Sequence, residues 1–358
     1  GIPRQKVLNL NNLGLVYLSL GKSDLAKKAF DTASEISSEL DWTFGQAMTR
    51  SNLGQTFLQE NRVSEALRHN KAALDFLDTA ASKWAYGSVL RHLGEIQNLV
   101  KEHKSALESL TQALAIHRAF SSEEEEIITL SHQAMAHLGL QQPDQAQASS
   151  HKSIELLATR PHSTHAPQVW WQHHQVLHAT GDPKGADAAL ENALRAFLRL
   201  VANLKTCALR PDFAAIPLHR NILKAYAKRQ AASKDAQACA FKRLRAARWP
   251  EGVRCPDCDA EVKPGAPSAS GLASHRCGGC GARFNDRSGT PFEASKVALS
   301  KQLFALTLIH EGLTPDAAAL AAALGTAKDN AAALHDALGP ALETSPWLRS
   351  LAGLPCRD

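Results

Sequence analysis

No apolar run in this chain approaches the length needed to cross a bilayer, and no secretory signal opens it. A membrane-embedded or exported product is therefore not expected, and a cytoplasmic location is. Strong charge imbalance is missing too. A net charge of +5 with neutral histidine does not by itself imply a nucleic-acid partner, so the local distribution of charge must decide. Aromatic residues are few, 6% of 358, in a composition otherwise ordinary for a globular protein and long enough for two or three domains. Cysteine is scarce outside one place: of seven, four lie between Cys255 and Cys280. An odd total clustered in that way excludes a secreted disulfide framework and predicts a metal site plus spare thiols. The chain opens without Met and inside a repeat, so residue 1 is expected to be a fragment boundary.

Catalytic machinery is missing as well. The Gly21-Lys22-Ser23 run mimics the end of a phosphate-binding loop, but the glycine required five positions earlier is Val16. His174 and His178 lie one helical turn apart without an acidic or thiol ligand nearby in sequence, which argues against a metal pair. Cys207, Cys239 and Cys356 have no partners of the kind a nucleophilic thiol needs and are read as buried or idle. The acids of Ser121–Glu126 suit a helix start, where the backbone dipole favours them. With no nucleophile–base set and no open metal site, an enzyme is not expected.

What the sequence does contain is a forty-residue beat. Gly14, Gly54 and Gly94 are spaced by 40, with Ala134 and His174 on the fourth and fifth beats. Ala26, Ala66, Ala106, Ala146 and Ala186 follow twelve residues later, and Ala33, Ala73, Ala113, Ser153 and Ala193 seven beyond those. Small residues at fixed places allow two antiparallel helices to approach closely. Leu10, Leu13 and Tyr17, like Leu53 with Phe57 and Leu90 with Leu93, have the spacing of one helical face. Ser23 with Asp24, and Ser64, are expected to cap the second helix of their units. Each unit is thus a helical hairpin that buries its face only by stacking on its neighbours.

This pattern resembles the tetratricopeptide repeat, with longer helices absorbing a period above the usual 34 residues. Armadillo and HEAT units share the longer period, but the placement of Gly and Ala favours the tetratricopeptide. Five units cover residues 1–199, and the likeness fades in the last two, where Gln133 and His137 replace apolar residues. The resemblance implies a right-handed α-solenoid whose first helices line a groove for a protein or peptide. Asn12, Asn52, His92 and His132 occupy one equivalent position beside the buried stripe and are the candidate groove residues, suited to bonding an extended backbone. The alternative is a solvated face without a ligand. Residues 200–231, interrupted by Pro211 and Pro217, are expected to cap the stack, and 232–248 to form a linker helix. The segment containing Trp170 and Trp171, together with that cap, resembles the ends of repeat arrays in large bacterial signal-transduction proteins; both tryptophans are read as packing residues.

Residues 249–292 carry the chemistry. Cys255, Cys258, Cys277 and Cys280 follow C-x2-C, eighteen residues, C-x2-C, the spacing of a zinc site. Four thiolates complete a tetrahedron and leave no place for water, so one structural zinc ion is expected, on which a ribbon with so little core depends to fold. Gly278 and Gly279 are expected to supply the unusual backbone angles of the second knuckle. His275 is left outside the ligand set. Trp249, Pro250, Gly252, the four cysteines, Phe284 and Gly289-Thr290 resemble the zinc ribbon of bacterial insertion-sequence transposases, a likeness covering about residues 241–338. It implies a helix-turn-helix-like segment in 293–358, with Thr314 as a cap, Pro315 in the first turn and Gly325 at the turn.

Between Lys242 and Lys301 there are eleven Lys or Arg against six Asp or Glu. Arg254, Arg276, Arg283 and Arg287 border the knuckles and are the candidate contacts to nucleic acid, DNA foremost. Residues 302–358, by contrast, hold three positive charges against six negative, so the helical segment is not expected to bind DNA strongly. No acidic triad follows it, and strand transfer by this polypeptide is not expected. The reading is a mainly α chain ending in a small β ribbon and helices, acting as a bacterial adaptor or regulator. Its rivals are a purely protein-binding scaffold and a mobile-element fragment joined to the repeat tail of a signalling protein.

Overall fold

The computed structural model describes residues 2–77 and 82–352. It divides into two compact units, Gly1–Lys205 with Ile216–His219, and Thr206–Ala215 with Arg220–Asp358.

The first unit is a tetratricopeptide-like solenoid. Its described helices pair as five hairpins: α1 (Ile2–Ser19) with α2 (Ser23–Glu39), α3 (Thr43–Gln59) with α4 (Val63–Leu74), α5 (Lys83–Leu99) with α6 (His103–Ala119), α7 (Glu123–Gly139) with α8 (Pro143–Ala158), and α9 (Ala166–Ala179) with α10 (Pro183–Asn203). Successive odd-numbered helices pack against one another as an inner layer, and α2, α4, α6 and α8 each lie between their own partner and the next odd-numbered helix. The hairpin reversals repeat as closely as the helices. Gly21, Asn61, Lys101, Gln141 and Gly181, each 40 residues apart, have φ between 59° and 86°. In every case the next residue's N–H donates to the carbonyl five positions back, as in Lys22 to Tyr17 at 2.9 Å and Arg62 to Phe57 at 2.8 Å. This is a Schellman closure built from main-chain atoms.

That closure displaces the expected caps. The second helix starts immediately after the closing residue, so Ser23, Asp24 and Ser64 lie inside the first turn, and neither N-cap residue, Lys22 or Arg62, makes a side-chain cap bond. In the fifth hairpin Asp182 does cap, accepting from the Gly185 N–H at 2.9 Å. The glycine beat has a packing cause. A Cβ on Gly14 would lie 2.4 Å from the Phe30 ring, one on Gly54 2.0 Å from the Asn70 amide, and one on Gly94 2.5 Å from Leu110. Each glycine makes room for the large side chain sixteen residues ahead. In the fourth unit those two places hold Ala134 and buried Ser150, a smaller residue opposite a larger one.

The stripe expected on α1 is different in the structure. Val7, Asn11, Gly14 and Leu18 are buried there, whereas Leu13 is 43% exposed although its counterparts Leu53 and Leu93 are nearly covered. The inner helices α3 and α5 press that position on the preceding hairpin, and among the described residues none precedes α1.

The second unit begins with a 3-10 turn at Cys207–Leu209 and contains α11 (Arg210–Ala215), α12 (Pro217–Ala232, whose first turn belongs to the first unit) and α13 (Lys234–Arg248). Pro211 and Pro217 stand in the first turns of α11 and α12, where the missing N–H costs nothing. A two-stranded antiparallel ribbon follows, β1 (Ser274–Arg276) and β2 (Arg283–Asn285), in register Ser274↔Asn285, His275↔Phe284 and Arg276↔Arg283. Val253, Val262, Phe284 and two cysteines form its core, with Trp249 against them. Helices α14 (Leu299–His310), α15 (Ala317–Leu324), α16 (Lys328–Thr344) and α17 (Pro346–Leu351) complete the unit, with α14, α15 and α16 in mutual contact. The cap of α15 is Asp316, which accepts from the Ala319 N–H at 2.8 Å; Thr314 and Pro315 precede the helix. A carboxylate outcompetes a hydroxyl for that donor. Gly325 closes α15 with φ 59°.

Candidate metal centre and polar repeat face

The four clustered cysteines converge. Their sulfurs all lie within 4.8 Å of one another, with Cys255 to Cys280 at 3.6 Å and Cys258 to Cys277 at 3.5 Å. Tetrahedral zinc–sulfur bonds of about 2.3 Å would separate sulfurs by about 3.8 Å. The donors therefore fit one metal ion, and their softness suits zinc. Two equivalent knuckles hold them. Cys255 N–H donates to Ala260 O and Cys277 N–H to Ala282 O, both at 2.9 Å, while Asp259 and Gly281 return their N–H groups to the carbonyls of Cys255 and Cys277. The left-handed residues are Asp259 (φ 55°) and Gly281 (φ 77°). Gly278 and Gly279 do not have the angles expected of them; the turn reaches its left-handed residue only after the second cysteine, where the chain must re-enter the ribbon. Backbone N–H groups of Cys280 and Gly279 hold the Cys277 thiol below its ordinary value, which favours a thiolate at that position.

His275 is not drawn toward the sulfurs. Its Nδ1 accepts from the Gly265 N–H at 3.2 Å, which places the proton on Nε2, 3.1 Å from Asp286 Oδ1. Asp286 also takes Arg245 Nη1 and the Ala273 N–H, both at 2.7 Å, and its carbonyl takes Arg248 Nη1 at 3.1 Å. One buried carboxylate thus ties both ends of the β hairpin to α13. Nothing in the sequence marks Asp286 for this role, because its partners are scattered from residue 245 to 275.

The four arginines at the knuckles differ. Arg276 and Arg283 are exposed and directly opposite each other on the two strands. Arg254, also exposed, pairs with Asp259 at 3.3 Å. Arg287 is half-buried; its guanidinium donates to the carbonyls of Phe292, Glu293 and Ser295 and so holds the loop that follows the ribbon.

The inner layer of the repeats is joined by side-chain bonds between successive hairpins. Of the four equivalent residues singled out in the sequence, Asn12 is exposed. Asn52 is buried and donates to Asn11 Oδ1 at 3.1 Å. His92 accepts from Arg91 Nη2 on Nε2 at 2.9 Å, so its Nδ1–H donates to Ser51 Oγ, also at 2.9 Å. His132 accepts from Gln172 Nε2 on Nδ1 at 3.2 Å, which leaves its proton on Nε2. Burial pushes His92 well below its ordinary value and takes His117 and His132 down to about 4.

The acids at the start of α7 do more than meet the helix dipole. Glu123 accepts from Arg160, Glu124 from Ser163, Glu125 from Arg91 and Glu126 from Arg118. Burial resists ionisation of Glu125, but the Arg91 guanidinium bonded to it outweighs that and holds the carboxyl at about 2.

The remaining readings sort simply. Gly21 is a reversal residue. His174 Nδ1 bonds the Ala186 carbonyl at 2.8 Å, and among the described residues the four cysteines are the one group of three or more His, Cys, Asp or Glu side chains that brings its ligand atoms together. Trp170 packs in the core, and Trp171 stacks on His174. Cys207 is exposed and free, Cys239 is not a free thiol, and Cys356 lies outside the described residues. No described helix is long and apolar enough to cross a membrane.

The tetratricopeptide-repeat family model matches residues 6–79. Among solved structures the chain is similar to a thermophilic repeat protein of this type from Thermus thermophilus, at 18% identity, 59% of this chain, 99% of that one and a TM-score of 0.40. It is similar to pilF of Pseudomonas aeruginosa at 18% identity, 64% of this chain, 92% of that one and a TM-score of 0.41. A signal-transduction ATPase with a tetratricopeptide-repeat sensor from Pyrococcus horikoshii is similar at 17% identity over 63% of this chain and 36% of that one, with a TM-score of 0.41. No curated protein matches.

Proposed function

We propose that the chain is a non-enzymatic bacterial adaptor. Its repeats bind a protein partner, and a ribbon held by one structural zinc ion on Cys255, Cys258, Cys277 and Cys280 contacts nucleic acid. Repeat arrays of this kind act as interaction scaffolds because stacking leaves an extended face available. The nucleic-acid reading is carried by one observation, the exposed Arg276 directly across the strands from Arg283. Like charges in that relation repel, and a phosphate between them removes the repulsion. Arg254, already paired with Asp259, is an auxiliary contact, and Arg287 supports the loop.

Fluorescence anisotropy of the zinc-loaded full chain with short duplexes and single strands, across a salt series, tests this. Binding should weaken steeply with salt, and the paired change Arg276→Gln with Arg283→Gln should reduce the log–log salt slope by about 2 without loss of zinc. Unchanged binding in that variant counts against the assignment. A pure protein scaffold is the second reading, favoured by the three positive against six negative charges of residues 302–358; no DNA retention even at low salt decides for it.

A further inference from the structure

The polar residues of α5 include one carboxylate whose charge is not met. Ser88, Arg91, His92 and Glu95 are spaced three, four and seven apart and so share one face of the helix. Arg91 is committed, with Nε on Glu125 at 2.7 Å and Nη2 on His92 at 2.9 Å. Glu95 has no such cation. Its side chain is only 18% exposed, and it accepts one hydrogen bond, from Gln168 Nε2 of α9 at 3.1 Å. No Lys or Arg pairs with it among the described residues, whereas Glu123, Glu125 and Glu126 each have an arginine. An ionised carboxylate offers about four acceptor positions, so most of its capacity is unused.

One buried donor beside it is also unfilled. His132 Nε2–H points toward Glu95 Oε1 but stands 3.9 Å away, beyond hydrogen-bond length, and it has no other partner. The ring cannot turn to find one, because Gln172 holds Nδ1 and Gln172 is itself held by Ser131. Burial keeps His132 neutral at pH 7, so the ring cannot serve as the counter-ion. A recessed carboxylate without a cation is expensive to maintain.

We propose that Glu95 is the anchor of the repeat face and takes a lysine or arginine side chain from a partner segment, a proposal that rests on the repeats being partner-binding. A long aliphatic stem is what reaches an acid set below the surface, with the charged head delivered at its tip. The Gln168 bond, which runs from α9 across the intervening hairpin to α5, brings no positive charge and occupies only one acceptor position of the carboxylate, so the others stay open to an incoming cation. Acidic segments are excluded by the same uncompensated charge.

The test is an array of immobilised N-acetylated hexapeptides, in which one position of several neutral sequences is varied over all side chains, probed with the full chain. Peptides carrying Lys or Arg should be retained about tenfold more than their Gln counterparts. Glu95→Gln, which keeps size and the acceptor for Gln168, should abolish that preference with the unfolding midpoint unchanged or raised, and Glu95→Arg should shift it toward acidic peptides. A basic preference that survives Glu95→Gln, or an acidic or purely apolar preference in the wild type, overturns the proposal. Enrichment confined to a parallel array with free amino termini also overturns it, assigning the site to a terminal ammonium. Retention of no peptide at all overturns the underlying partner-binding reading instead.

Discussion

Asp286 and His275 meet inside the ribbon, Oδ1 to Nε2 at 3.1 Å, with both side chains wholly buried. The same carboxylate neutralises Arg245 and receives the Ala273 N–H. Asp286→Ala would leave a partly buried guanidinium without its counter-ion and two buried donors without an acceptor. It should destabilise the second unit by about 3–5 kcal/mol, measured by hydrogen exchange of the ribbon's backbone amides across a urea series. A change below about 1 kcal/mol would reduce the pair to a surface contact.

Metal removal should act locally. Cys255→Ser, or a strong chelator, is expected to abolish stoichiometric zinc and to open residues 249–292 to protease, because the ribbon has few apolar residues of its own. Helical circular dichroism from the repeats should change little. Elemental analysis and limited proteolysis of the full chain read both outcomes, and a protease-resistant ribbon without metal would refute the dependence.

Acid should loosen the repeats before it touches most carboxylates. His117 and His132 sit at about 4 in the folded chain, against about 6.5 when unfolded. Between those values the unfolded state binds more protons, so stability is full above pH 6.5 and is lost as pH falls toward 4. Glu125, held at about 2 by Arg91 against its burial, adds a loss of the same sign lower down, from its unfolded value near 4.5. Unfolding midpoints measured from pH 7.5 to 5 should fall, and His117→Gln should flatten the slope. A flat profile in the wild type would contradict the burial argument.

The glycine beat makes a reciprocal prediction. Gly94→Ala sets a Cβ 2.5 Å from Leu110 and should cost about 1–3 kcal/mol through overpacking. Combining it with Leu110→Ala should recover part of that cost, since the two residues share one space. Chemical denaturation of the two single variants and the double variant yields the coupling; strict additivity would mean that the glycine serves some other end.

The repeats and the convergence of the four cysteines were legible because spacing alone encodes them. Gly14, Gly54 and Gly94 mark where helices touch, and C-x2-C pairs aim two sulfurs at one point. Position within a face was harder to read. Asn12, Asn52, His92 and His132 are equivalent in sequence, yet Asn12 is exposed while Asn52 and His132 are buried by bonds to the neighbouring hairpins. A one-dimensional pattern shows equivalence, not what lies opposite. Gly278 and Gly279 misled for a related reason: two glycines draw attention to themselves, but the strained angles fall on Gly281 and on Asp259, which carries no such signal. Glu95 escaped notice because its significance lies in the partner it lacks.

The reversals at Gly21, Asn61, Lys101, Gln141 and Gly181 are fastened by peptide groups alone. Side chains at these corners are consequently free to drift: a glycine, an amide and a lysine serve in the same place. Recognisable likeness can therefore wear away along the array while its spatial rhythm persists. For the same reason the fourth and fifth hairpins, the least familiar as text, keep the same corners as the first.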